Sequence, residues 1–122
     1  MSKGKKRPEI ELRSEGAKEG TEEVIRVPLP DRNNNEMFAI ASEMLGGNHL
    51  RVICEDKKER LARIPGRMLR RVWIKTGDLL IIKPWEFQDD RADVVFRYTK
   101  VQACNLKKKG LLPEVLELQL EC

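Results

Sequence analysis

Arg60-Leu61-Ala62-Arg63-Ile64-Pro65-Gly66-Arg67-Met68-Leu69-Arg70-Arg71-Val72-Trp73-Ile74-Lys75-Thr76-Gly77-Asp78-Leu79-Leu80-Ile81-Ile82 is the stretch on which the fold turns. Its first five residues read as a strand that closes at Pro65-Gly66, where proline removes a ladder donor and glycine permits a turn. Its last four are a continuous apolar run of strand length, ending at Lys83-Pro84. The connection from Pro65 to Gly77 is too long for a hairpin, and Arg67 to Ile74 has room for a turn or two of helix.

Working outward, the N-terminal side supplies two more strands. Met37 to Leu45 is an apolar run with Phe38 and Ile40 on one face, and it stops at Gly46-Gly47-Asn48, residues that tolerate positive φ in a hairpin. His49 to Glu55 then places Leu50, Val52 and Cys54 on one side and His49, Arg51 and Glu55 on the other. Asp56-Lys57-Lys58 turns the chain into the quoted strand, so three antiparallel strands precede the long connection. On the C-terminal side, an acidic loop from Pro84 to Arg91 holds Trp85 and Phe87, both read as structural plugs. Ala92 to Tyr98 alternates, with Val94, Phe96 and Tyr98 opposite Asp93, Val95 and Arg97.

Five short strands with a helical excursion between the third and fourth is the element order of an all-β, five-stranded OB-fold barrel. An SH3-like barrel is the structural competitor. Closure removes exposed strand edges, which matters for so small a core. The barrel is expected over residues 35–98. Residues 1–34 read as a mobile N-terminal tail, in which Val24 to Val27 can dock as a short extended piece and the leading cations Lys3, Lys5, Lys6 and Arg7 either touch a polyanion or are merely solvated. Residues 99–122 form a C-terminal helix and extension. Thr99 and Gln102 make a capping box, Lys107-Lys108-Lys109 complement the helix dipole or touch RNA, and Gly110 suits the C′ position. Val101, Ala103, Cys104 and Leu106 are expected to face the barrel. The end stays open between a helix started at Pro113 and a strand in which Leu116, Leu118 and Leu120 alternate with polar residues.

At 122 residues the chain has room for one domain and its tails. Charged residues make up 36 % and hydrophobic ones 40 %, with no apolar run near the ~20 residues that cross a bilayer and no signal-peptide stretch after Met1, so a soluble cytoplasmic protein with no membrane association is expected. Cys54, Cys104 and Cys122 show no C-x-x-C spacing and accompany only one histidine, His49; no metal, no cofactor and three unpaired thiols are expected, with Cys54 a small core residue. No phosphate-binding loop or nucleophile-base motif occurs, and a catalytic role is not expected.

The net charge of +4 is unevenly spread: Lys57 to Lys75 carries +7 and the remainder −3. Such a patch neutralises phosphates and releases their counterions. Arg60, Arg63, Arg67, Arg70, Arg71 and Lys75 are the candidate RNA-binding cations, the loop arginines presenting guanidinium forks that suit phosphate. Trp73 either stacks on a base or covers the open end of the barrel. With only 5 % aromatic residues, many arginines and few stacking platforms, the chain favours structured RNA over generic single-strand coating, the alternative reading. A third reading is an adaptor that uses the leucine-rich end, Leu111 to Leu120.

Met44-Leu45-Gly46, Leu50 to Asp56, Arg63 to Met68, Val72-Trp73-Ile74, Gly77-Asp78, Lys83 to Gln88 and Asp93 to Lys100 together resemble the translation initiation factor 1A family in its archaeal form, and more distantly bacterial initiation factor 1. The resemblance spans about Val24 to Gly110. It implies an OB-fold that occupies the aminoacyl site of the small ribosomal subunit, contacts its rRNA, and supports initiator tRNA and mRNA placement with other initiation factors, acting as a monomer off the ribosome. The family's basic loop after the third strand carries over to Arg67, Arg70 and Arg71, with Trp73 beside them. Leu69 departs from the family pattern, which usually has a basic residue there, and Lys57-Lys58 replace its usual Asp-Gly turn.

Overall fold

The computed structural model describes residues 8–13, 24–69 and 73–120. Two short strands come first, β1 (Glu9–Arg13) and β2 (Val24–Pro28), paired antiparallel in a sheet of their own. Five further strands, β3 (Met37–Gly46), β4 (His49–Cys54), β5 (Glu59–Arg63), β6 (Leu79–Pro84) and β7 (Arg91–Arg97), close a barrel in the order β3-β4-β5-β7-β6. The long connection after β5, which contains α1 (Gly66–Leu69), lets β6 pair with β3 instead of with its predecessor. β7 then fills the remaining gap, antiparallel to β6 and parallel to β5. This is the OB-type barrel expected from the order of elements.

Alternation sorts the barrel strands into an inside and an outside. Ala39, Ala41, Leu50, Val52, Cys54, Ala62, Leu80, Ile82, Ala92 and Val94 form one cluster with Ile64 and Ile74 from the long connection. Phe38 and Ile40 of β3 and Leu79 and Ile81 of β6 face the other way, into a second cluster. The helices α2 (Lys100–Lys108) and α3 (Glu114–Glu117) contribute Ala103, Leu106 and Leu116 to it, beside Tyr98, Leu112 and Leu120. β6 therefore reads as an unbroken apolar run because both its faces are covered: each residue from Leu79 to Ile82 is at most 1 % exposed.

The expected cap of α2 is present. Gln102 N donates to Thr99 Oγ1 at 3.2 Å, Thr99 N donates to Gln102 Oε1 at 2.9 Å, and Gly110 takes φ +71° beyond the helix end. Val101 corrects the expected helix face, since it is exposed while Asn105 is buried and donates from Nδ2 to the Val101 carbonyl. The open question at the C-terminus resolves as helical. Leu112, Leu116 and Leu120 are buried at a spacing of four, whereas Leu118 faces water, so the leucines serve mainly as core and not as an adaptor face.

The region expected to be a mobile tail contains the β1–β2 hairpin. Ile10 lies opposite Val27 and Leu12 opposite Ile25, and Val27 is fully buried in the second cluster. The Tyr98 hydroxyl donates to the Pro28 carbonyl, and Gln102 Nε2 donates to the Arg26 carbonyl at 3.3 Å, so the hairpin is fastened to the residue that follows β7 and to α2. Lys3, Lys5, Lys6 and Arg7 lie outside the described residues. The expectation of three unpaired thiols also fails. Cys54 is free and buried, but Cys104 is disulfide-bonded, a cross-link that depends on the close approach made by folding and not on sequence spacing. No helix among the described residues is long and apolar enough to cross a membrane.

Arg60 requires a correction as well. Alternation along β5 puts it on the inner side with Ala62 and Ile64, and its side chain is 2 % exposed. Its Nη1 and Nη2 donate to both Asp56 carboxylate oxygens at 3.1 and 3.0 Å, Nη2 to the Asp89 carboxylate at 3.1 Å, and Nε to the Asp89 carbonyl at 2.6 Å. The guanidinium is saturated by the protein and is a clasp between the β4–β5 and β6–β7 loops, not a surface cation.

Burial pushes the Cys54 thiol up to about 11, against a hydrogen bond and the charge of Arg60 that lower it. Thiol reagents at about pH 8 are accordingly expected to leave Cys54 unlabelled in the folded chain and to label it only on unfolding; rapid labelling under native conditions would contradict its burial. The clasp gives a pH signature. At Asp56 burial pushes the carboxyl up, but the hydrogen bonds from Arg60 and the Lys58 amide outweigh it; at Asp89 hydrogen bonds from Lys58 and Arg60 act in the same direction, and both carboxyls lie below the usual range. Folded values below unfolded ones mean stabilisation that is complete above about pH 4 and disappears as pH falls through the folded values. Arg60→Met is expected to cost about 2–3 kcal/mol at neutral pH in denaturant titrations, and its difference from the wild type should shrink below about pH 4.

Candidate nucleic-acid interface

The outer face of β4, β5 and β7 follows directly from the register. Arg51 lies opposite Leu61 and Leu61 opposite Arg91; in the next row His49 lies opposite Arg63 and Arg63 opposite Asp93. Because Leu50, Val52, Ala62 and Ala92 point inward, these residues point out. The Arg63 and Arg91 guanidiniums both lie against the Trp85 ring, at 5.6 and 5.9 Å from its centroid, and Arg63 Nε donates to Asp93 Oδ1 at 3.2 Å. Trp85 is thus a half-buried platform that aligns two cations. Phe87 was expected to plug the structure beside it and does not: it is 96 % exposed.

A second group is built on the segment that enters β6. Trp73 is 86 % exposed, which overturns the reading of it as a cover for the barrel end, while its neighbour Ile74 fills the interior. Its backbone is braced: Arg97 Nη1 donates to the Trp73 carbonyl at 3.3 Å and lies 3.9 Å from Asp78 Oδ2. Asp78 in turn accepts from the Lys75 amide at 2.9 Å, and Gly77 N donates to the Ala41 carbonyl at 2.8 Å. The indole is therefore presented to solvent from a backbone tied to β3 and β7, an arrangement suited to stacking on a flat ring. Between the barrel and α2 opens a cleft of about 580 Å³, lined among the described residues by the cations Lys75, Arg97 and Lys100 and the carboxylate Asp78. Arg97 Nε is buried there without a hydrogen-bond partner among the described residues.

The predicted site residues separate accordingly. Arg63 belongs to the Trp85 group, Trp73 and Lys75 to the braced segment, and Arg60 to the clasp inside. The α1 backbone carries Arg67, whose side chain lies outside the described part, and Arg70 and Arg71 lie outside the described residues. Arg51, Arg91 and Arg97 complete the two groups. Arg51 was visible as the polar phase of β4, and Arg97 as the polar phase of β7, but both stand outside the charge-dense segment that drew the prediction.

Comparison with known proteins agrees with this architecture. The family model described as Translation initiation factor 1A / IF-1 matches residues 25–121. The chain is similar to Translation initiation factor 1A of Thermoplasma acidophilum, 51 % identical over 85 % of this chain and 87 % of that protein. It is 54 % identical to Translation initiation factor 1A of Archaeoglobus fulgidus over 75 % of this chain and 94 % of the relative, and 49 % identical to that of Methanopyrus kandleri over 79 % and 85 %. A closed barrel with an outward cationic face, matched at this identity over most of its length, belongs to the translation initiation factor 1A family.

Proposed function

We propose that the chain binds the small ribosomal subunit at the aminoacyl site through rRNA contacts and there promotes placement of initiator tRNA and mRNA, together with other initiation factors. The observation that carries this reading is the exposed, braced indole of Trp73 at the end of the arginine-rich connection. A tryptophan held in water from a fixed backbone is prepared to stack on a base extruded from folded RNA. Arg67, Arg70 and Arg71 on the same connection, Lys75 at its end, and Arg63 and Arg51 on the strand face would supply phosphate contacts on either side. The cleft with Lys75, Arg97 and Lys100 extends that cationic surface toward α2. Residues 35–98 act as the RNA-binding unit in this proposal, and residues 99–120 buttress β3 and β6 from outside.

Binding to purified small subunits measured across a salt series tests the proposal. Affinity should fall steeply with salt, and Arg70→Ala with Arg71→Ala should weaken binding and flatten the log-log salt slope by about one per arginine. Trp73→Ala should weaken binding by roughly 5- to 150-fold with the slope unchanged, and Trp73→Phe should retain most of it. A chemical footprint should place the protections at the aminoacyl site. Equal affinity for short unstructured oligonucleotides at physiological salt would instead favour a general single-strand module.

A further inference from the structure

Phe87 has the highest exposure of any large apolar side chain among the described residues, 96 %, and the loop that bears it is rigidly framed. Trp85 N donates to the Arg91 carbonyl at 2.9 Å, Arg91 N to the Gln88 carbonyl at 3.0 Å, and Leu61 N to the Asp90 carbonyl at 2.9 Å. Asp89 is held by Arg60 from below and by Lys58 Nζ at 3.0 Å. A phenyl ring left in water forgoes the gain of burial, and a loop fixed in advance loses little entropy when a partner covers it. Aromatic side chains presented in this way are the usual energetic centres of protein interfaces.

The surroundings of the ring select the partner. Glu86 and Asp90 are exposed carboxylates within three residues of it, while the charge of Asp89 is matched by Arg60 and Lys58. A phosphate chain approaching Phe87 would meet those two carboxylates, whereas lysines or arginines around an apolar slot would meet charge and ring together. Resting on the reading that the chain binds the small ribosomal subunit, we infer that Phe87, flanked by Glu86 and Asp90, is a docking knob for a basic protein surface of that subunit. The knob lies two residues from Trp85 in the same β6–β7 connection, next to the Arg63–Trp85–Arg91 platform, so RNA contacts would fall on the strand face and protein contacts on the outer turn of the loop.

Binding to purified small subunits separates the possibilities. Phe87→Ala should bind roughly tenfold more weakly, Phe87→Leu should recover part of the loss, and both should melt like the wild type because the ring is in solvent. Reversing the charges, Glu86→Lys with Asp90→Lys, should weaken binding further. p-Benzoylphenylalanine placed at position 87 should cross-link on irradiation to a lysine- or arginine-rich segment of a small-subunit protein. Unchanged affinity of Phe87→Ala, tighter binding after charge reversal, or a cross-link into rRNA would each overturn the inference while leaving small-subunit binding intact; failure of the wild-type chain to bind small subunits would overturn both readings.

Discussion

The parallel seam between β5 and β7 is the joint on which the remaining architecture depends, because without it the sheet has two free edges instead of a closed wall. Leu61, Ala62 and Arg63 face Arg91, Ala92 and Asp93 across it, and the Leu61 amide extends the pairing to the Asp90 carbonyl. A parallel pair cannot be joined by a hairpin, so the chain must leave the barrel after β5, lay down β6 against β3, and come back. The long basic connection is a consequence of that detour. The same seam brings Arg63 beside Asp93 and Trp85, and it carries the Arg60 clasp at its end, so closure and surface chemistry share residues.

Arginine is used in two opposed ways within one strand. Arg60 and Arg63 lie three positions apart in β5 and therefore on opposite faces. The inward one has its charge matched by Asp56 and Asp89 and a nearly dry environment, in which leaving either end unpaired would be costly. The outward one keeps half its surface in water, shares a single carboxylate, and lies over an indole. A count of positive charge along the chain treats the two alike. Only the phase of the strand separates a structural cation from one that can meet a phosphate.

That distinction marks how far the sequence could be read. The five barrel strands, the position of the helical excursion and the capped C-terminal helix were legible because each rests on local rules: period-two alternation, glycine at positive φ, and a Thr-x-x-Gln cap. The β1–β2 hairpin was not, since Val27 gains its burial in a cluster built from β3, β6, Tyr98 and the C-terminal helices, all distant in sequence. The C-terminal leucines carried two periods at once, and the surface waiting outside β3 and β6 chose the helical one. Trp85 and Phe87 sit two residues apart in an acidic loop, yet one is held under two guanidiniums and the other is in solvent, a difference set by tertiary contacts that composition does not encode.

The double covering of β3 and β6 also explains why binding chemistry gathers where it does. Helices α2 and α3 and the β1–β2 hairpin occupy the outside of those two strands, which leaves β4, β5 and the edge of β7 as barrel walls that face water. On that remaining arc the outward residues include Arg51, Leu61, Arg63 and Arg91 together with His49 and Asp93, and the β6–β7 loop beside it carries Trp85 and Phe87. A small barrel has little surface that its own core does not need. Covering one side with apolar helices stabilises the fold and, by the same step, leaves Arg51, Arg63 and Arg91 on the uncovered arc, while Lys75, Arg97 and Lys100 line the cleft between the barrel and α2.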